Sequence, residues 1–150
     1  MFNLDVPYME TERLILREIC VNDANDMFEY AQLPNVGEVA GWAPHRRLSE
    51  TRAIINLFID KKMYGQLGTV AVILKENNKM IGTVELHTFT PEFKAELGYT
   101  ISPYYWGNGY AVEASKKVME WGFKFLKLKR IECSSFVDNV KSQRVCEKLG

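Results

Sequence analysis

The residues with the clearest chemical potential lie in one short segment, Trp106-Gly107-Asn108-Gly109-Tyr110-Ala111. Glycine adopts positive φ without steric cost and lets the backbone approach a ligand closely. Where such a loop enters a helix, consecutive N–H groups and the positive end of the helix dipole attract an anion. The segment therefore predicts a phosphate or pyrophosphate site, although an isolated pair of glycines more often only turns the chain.

Two common phosphate loops do not fit this segment. A Walker loop needs a lysine and a hydroxyl residue after its last glycine, and Tyr110 and Ala111 stand there instead. A Rossmann loop follows a strand of a parallel sheet, whereas this segment lies in mid-chain after three strands that read as an antiparallel meander. The anion would be bound by backbone amides in a different kind of fold.

The elements that must position the loop follow from hydrophobic periodicity and from capping residues. The pattern predicts a strand at 13–19, a helix capped by Asn22 and Asp23, a loop at 33–48, a helix capped by Ser49, strands at 69–74, 80–86 and 95–101, a helix from 111 to about 126, and a strand at 130–136. The last strand, helix and strand predict a right-handed parallel crossover.

Composition and charge exclude several classes of function. The 19 acidic and 19 basic side chains cancel, so no overall cationic field draws the chain to nucleic acid or anionic lipid. No apolar run is long enough to span a bilayer, and the first residues lack the layout of a signal peptide. We therefore expect a cytoplasmic monomer or homodimer with no nucleic-acid or membrane partner.

Cysteines and lysines have plain structural interpretations. Cys20, Cys133 and Cys146 are odd in number and form no CxxC pair, so reduced thiols are expected rather than a disulfide framework or a metal site. Five lysines lie in or just after the last predicted helix, and Glu113 is expected to pair with Lys117 four residues later. These lysines are predicted to form a solvated face.

The run Gly98-Tyr99-Thr100-Ile101-Ser102-Pro103-Tyr104-Tyr105-Trp106-Gly107-Asn108-Gly109-Tyr110-Ala111 resembles the acetyl-CoA loop of the GNAT acetyltransferase superfamily, in its RimJ/RimL-like branch. Three further segments resemble that branch in the same order: 10–17, 139–142 and 147–150. The superfamily loop usually begins with Gln or Arg, and Trp106 stands at that position here. This difference does not affect the backbone amides, which are the groups expected to bind the cofactor.

This resemblance implies an α+β fold with three layers. A central mixed, mostly antiparallel sheet is flanked by helices, and two parallel strands splay apart to form the cofactor slot. Residues 1–150 are expected to form a single N-acetyltransferase domain that stops before the last two strands of its relatives.

The resemblance also implies which residues hold acetyl-CoA as cosubstrate, with no metal. The pantetheine arm pairs with the backbone of Tyr99, Thr100 and Ile101 as an added strand. The pyrophosphate meets the loop, and further contacts come from the segment after the last strand. The predicted cofactor-binding residues are Tyr99, Thr100, Ile101, Trp106, Gly107, Asn108, Gly109, Tyr110, Ala111, Asn139 and Ser142.

Acetyl transfer needs a neutral amine and a proton donor for the leaving thiolate. By resemblance, Glu96 is the candidate general base, acting directly or through a water, and Glu85 is the rival. The superfamily's usual tyrosine acid is replaced by Cys146, so Ser142 becomes the candidate acid. No motif makes His45 or His87 a partner for Cys146, which favours direct attack over a cysteine acyl intermediate.

The resulting prediction is an N-acetyltransferase that acts on a primary amine, and the RimJ/RimL-like branch favours a protein N-terminal α-amine. Two alternatives remain open. The acceptor could be a small amine such as a polyamine or an aminoglycoside, because substrate identity lies in loops that motifs do not decode. The chain could instead be a non-catalytic coenzyme A binding module, and Glu96 and Ser142 discriminate that class from an enzyme.

Overall fold

The computed structural model describes residues 3–34, 36 and 42–133. Within these residues, six strands form one sheet in the order β1-β2-β3-β4-β5-β6. The strands are β1 Met9–Glu10, β2 Leu14–Glu18, β3 Val70–Leu74, β4 Lys79–Thr90, β5 Lys94–Ile101 and β6 Arg130–Cys133. Neighbouring strands are antiparallel except for β5 and β6, which are parallel as predicted.

Three α-helices in the described part of the chain cover the two faces of the sheet: α1 Ala24–Ala31, α2 Leu48–Asp60 and α3 Tyr110–Lys124. Helix α3 buries Ala114, Val118 and Trp121 against alternate residues of β2 to β5. Helices α1 and α2 bury a second cluster against the opposite face, which includes Ile55 and Ile73. Strand side chains alternate between the two faces, so both sides of the sheet are packed. The predicted three-layer α+β fold is confirmed.

The elements differ from the sequence predictions in three places. The short edge strand β1 was missed, because two residues carry no readable alternation. Helix α2 begins at Leu48, after the extended residue Arg47, so the prediction that Ser49 caps it is wrong. Strand β4 runs to Thr90, four residues beyond the predicted end, and contains a register shift between His87 and Thr90.

Two side-chain predictions also need correction. Cys133 is disulfide-bonded and Cys20 is free, so the expectation of three reduced thiols is wrong at Cys133. Glu113 pairs with Arg13, not with Lys117, which lies nearer Glu120 at 3.8 Å. None of the described helices is long and apolar enough to cross a bilayer.

Candidate active site

The glycine loop, residues 106–111, joins the end of β5 to the start of α3. Gly107 and Gly109 have φ of 84° and 80°, the left-handed region that favours glycine. A Cβ on Gly107 would meet no atom within 4 Å, and one on Gly109 would meet only Arg13 Nη2, at 3.6 Å. The glycines are therefore required by backbone conformation rather than by packing, and the loop remains open to a ligand.

Side chains of the loop hold it in shape without filling the space beside the backbone. Trp106 Nε1 donates a 2.7 Å hydrogen bond to the carbonyl oxygen of Ile101 at the end of β5. Asn108 Nδ2 donates to the carbonyl oxygens of Tyr105, at 3.0 Å, and Trp106, at 3.3 Å. Gly109 then serves as the N-cap of α3, whose first-turn N–H groups are left without helical acceptors. This is a backbone site that suits an anion.

The first turn of α3 is attached to the start of β2 by a cluster that sequence reasoning missed. Glu113 Oε1 lies 2.7 Å from both Nε and Nη2 of Arg13, and its Oε2 accepts from the Arg13 backbone N–H at 3.0 Å and from the Thr11 hydroxyl. The Arg13 guanidinium also lies 4.4 Å from the ring centre of Tyr110. The cluster fixes where the helix starts.

These contacts govern the charge of Glu113. Partial burial alone would raise the pKa of its carboxyl. Hydrogen bonds from the Thr11 hydroxyl, the Arg13 backbone and the Arg13 guanidinium outweigh that effect, so the pKa of Glu113 lies below its usual range. Glu113 is therefore ionised at neutral pH and balances the charge of Arg13, whose Nη2 lies beside Gly109. The signal in the sequence was the resemblance of residues 10–17 to the family's first strand.

Strand β5 connects the loop to a set of polar side chains at the other end of the strand. It pairs with β4 along its length, and its described parallel pairing with β6 runs from Lys94 to Leu97. The predicted cofactor strand, Tyr99 to Ile101, follows that pairing. About 16 Å separates Glu96 from Ile101, at about 3.3 Å per residue. This length of strand suits an extended ligand.

Glu85, His87 and Glu96 lie on one face of the sheet, and we call them the acidic face. His87 is opposite Glu96 in the register, and Glu85 is opposite Gly98. Residues Leu86, Ala95 and Leu97, which alternate with them, pack beneath α3. The acidic face therefore points to the side of the sheet that carries α1 and α2.

Each member of the acidic face has a polar neighbour. Glu85 lies 3.4 Å from Lys61 Nζ and accepts a hydrogen bond from the Thr69 hydroxyl at 3.4 Å. Glu96 Oε2 lies 3.6 Å from His87 Nδ1, and about a third of its side chain is exposed. Because Glu85 is already paired with a lysine, Glu96 is the more available carboxylate of the two.

The structure thus brings together Tyr99, Thr100, Ile101 and all six residues of the glycine loop along β5 and the start of α3. Glu96 and its rival Glu85 share one face of the same strand pair. The predicted residues Asn139, Ser142 and Cys146 lie outside the described residues. Among residues 3–34, 36 and 42–133, no group of His, Cys, Asp and Glu is arranged to hold a metal ion.

Comparisons with known proteins agree on one family. Residues 13–150 match the family model "Acetyltransferase (GNAT) domain". The uncharacterized N-acetyltransferase p20 of Bacillus licheniformis is 33% identical over 141 residues, which is 93% of this chain and 79% of that protein.

Solved structures agree with the family match. A GNAT-family acetyltransferase from Bacillus anthracis superimposes with a TM-score of 0.85 at 28% identity, covering 96% of this chain and 82% of that one. The ribosomal-protein-S5-alanine acetyltransferase of Vibrio fischeri has a TM-score of 0.74 at 25% identity, covering 97% of this chain and 82% of that one. This chain belongs to the GNAT acetyltransferase family and is an N-acetyltransferase.

Proposed function

We propose that this enzyme binds acetyl-CoA along β5 and the glycine loop and transfers the acetyl group to the α-amine of a protein N-terminus by direct attack. The proposal is supported by the relative positions of the glycine loop and the acidic face. The two left-handed glycines open the loop at the start of α3, while the acidic face lies further back on the same strand pair. A cofactor extended along β5 would have its phosphates at the loop and its thioester near Gly98.

The residues present fit acetyl-CoA on physical grounds. The loop offers backbone N–H groups with no side chain at Gly107 or Gly109, and Arg13 adds a guanidinium close by. Phosphate groups are favoured at a helix N-terminus and by a nearby arginine. The backbone of Tyr99, Thr100 and Ile101 is the proposed partner of the pantetheine amides.

In the proposed reaction the amine nitrogen bonds to the acetyl carbon, the carbon–sulfur bond breaks, and its electron pair leaves on sulfur. Glu96 serves as general base for the proton lost by the amine, directly or through a water. Ser142 is the proposed donor to the thiolate, and Asn139 is a proposed contact of the cofactor.

Proton arithmetic supports the α-amine as acceptor. A peptide α-amine has a pKa of about 7.7–8.0, so roughly a quarter of it is neutral near pH 7.4. A lysine amine with a pKa of about 10.4 is neutral in roughly one part per thousand, and its use requires ~3 kcal/mol more toward deprotonation. A site with one available carboxylate suits the easier amine. The Vibrio fischeri structure that resembles this chain is a ribosomal-protein-S5-alanine acetyltransferase, which is consistent with such an acceptor.

The test compares two matched peptides of the same sequence. One has a free α-amine and a blocked lysine, and the other has a blocked α-amine and a free lysine. We expect the first to have the higher kcat/KM, with the acetyl group placed on the α-nitrogen by mass spectrometry. A preference for the lysine peptide, or for a free polyamine or aminoglycoside over both, would overturn the assignment.

A further inference from the structure

Next to His87 on the acidic face lies Thr88, whose backbone conformation is strained and to which the proposed function assigns no role. Strand β4 loses its register between His87 and Thr90, and Thr88 has φ of 50°. A β-branched residue rarely adopts the left-handed region, because its Cβ crowds the following carbonyl oxygen. The side chain of Gln66 replaces the missing strand partner, because its Oε1 accepts from the N–H of Phe89 at 2.9 Å. The bulge is thus held in place, and bulges beside active sites re-aim side chains.

The side chain that the bulge re-aims is His87. Its ring lies over Gly98, where a Cβ would be 3.2 Å from Cδ2 and 3.3 Å from Nε2. Its Nδ1 lies 3.0 Å from the Thr88 hydroxyl and 3.6 Å from Glu96 Oε2. One edge of the imidazole therefore faces a hydroxyl and a carboxylate, while Nε2 lies over Gly98 of β5.

We propose that His87 is the proton acceptor for the attacking amine, with Nε2 as the accepting atom and Glu96 and Thr88 as positioning residues. This inference rests on the proposed function, because it assigns the thioester to the neighbourhood of Gly98. The Thr88 hydroxyl and the Glu96 carboxylate favour the tautomer with hydrogen on Nδ1, which leaves a lone pair on Nε2. A base oriented by a third group is the arrangement that activates nucleophiles in many enzymes.

The step balances without another reactant. The amine nitrogen bonds to the acetyl carbon, its proton passes to Nε2, and the carbon–sulfur electron pair leaves on the sulfur of coenzyme A. The imidazolium is then stabilised by Glu96, which sits opposite His87 in the register. Imidazolium returns its proton to solvent after the product leaves. In this assignment Glu96 acts through His87, in place of taking the proton directly or through a water.

Glu96 is the carboxylate that lies next to His87 without a lysine or arginine partner among the described ion pairs. The other carboxylates on the adjoining strands have cationic partners within 3.4 Å, and a lysine shares β5 with Glu96. These groups are Glu85 with Lys61, Glu132 with Arg130, and Lys94.

The test uses His87→Gln in the purified enzyme. Glu120→Gln, on the exposed side of α3, is the control for introducing a glutamine elsewhere on the surface. We expect His87→Gln to lower kcat about a hundredfold and to leave the Kd for acetyl-CoA within twofold. Glu120→Gln is expected to match the parent. The inference is overturned if His87→Gln keeps kcat within twofold.

A second variant guards against a folding defect in the first. Gly98→Ala places a methyl group 3.2–3.3 Å from the imidazole and pushes the ring aside without removing it. We expect a fall in kcat of about tenfold, and unaltered kcat would also overturn the inference. If the parent transfers no acetyl group to any peptide amine, the proposed function fails. If the parent is active and both variants are active, only the role of His87 fails.

Discussion

The glycine loop and the acidic face lie along the same strand, β5, but they are built in different ways. The loop uses backbone: two left-handed glycines, exposed amides and the start of α3. The acidic face uses side chains from two strands, which meet only through the β4–β5 register. A backbone site depends on local conformation, so contiguous sequence reveals it. A side-chain site depends on tertiary pairing, so its members are scattered along the chain.

This difference implies that substitutions in the two regions should fail in different ways. A defect in the loop should weaken cofactor binding, because the loop is proposed to contact the phosphates. A defect on the acidic face should slow turnover while the cofactor still binds, because that face is proposed to handle the amine proton.

The largest effect is expected at Glu96. Replacing it with glutamine keeps the shape but removes the charge that faces His87, so kcat should fall about a hundredfold while the Kd for acetyl-CoA stays within twofold. Steady-state kinetics and calorimetry measure the two quantities. Unchanged turnover would contradict both a direct role for Glu96 and its positioning of His87, and would move the role to Glu85 or to solvent.

A smaller effect is expected at Glu113, on the cofactor side. Glu113→Gln removes the ion pair with Arg13 that places the first turn of α3. We expect the Kd for acetyl-CoA to rise about fivefold and the free energy of unfolding to fall by ~1 kcal/mol, since the pair is partly exposed. A variant that loses stability but binds the cofactor normally would show that the cluster only supports the fold.

The smallest effect is the pH dependence of that same contact. Because the folded-state pKa of Glu113 is lowered, its contribution to stability is fully present above the ordinary pKa of glutamate and is lost as pH falls through the folded-state value. The stability difference between the parent and Glu113→Gln should therefore shrink between pH 7 and pH 3. Urea unfolding at both pH values measures it, and a constant difference would contradict the assignment.

Much of the fold could be predicted from the sequence because, like the glycine loop, its strands and helices are encoded by contiguous residues. The strands from β2 to β6 and the three described helices carry hydrophobic periodicity, which predicted their order and the parallel pair. Capping at Ser49 was wrong because Arg47 holds the extended conformation before α2, and the helix already includes Leu48. The end of β4 was misplaced because a bulge has no signature in periodicity.

Contacts between distant residues were the part that sequence could not supply. Glu113 was assigned to Lys117 on helical spacing, but Arg13, a hundred residues away in the chain, forms the pair. His87 carried no motif, and its placement over Gly98 depends on the strained Thr88 and on the register of β4 with β5. Such pairings need the fold before they can be seen.

Calorimetric titration of acetyl-CoA into the parent and Gly109→Val tests whether the glycine loop binds the phosphates of the cofactor. Gly65→Val is the matched control, because Gly65 has φ of 79° and open space around its Cβ, and it lies after α2, away from the loop. Both valines strain a left-handed residue, but only the one at 109 intrudes beside the proposed phosphate site. We expect the Kd to rise at least tenfold in Gly109→Val and to stay at the parent value in Gly65→Val. Equal, tight binding by all three proteins would show that the loop is only a turn and would contradict the account.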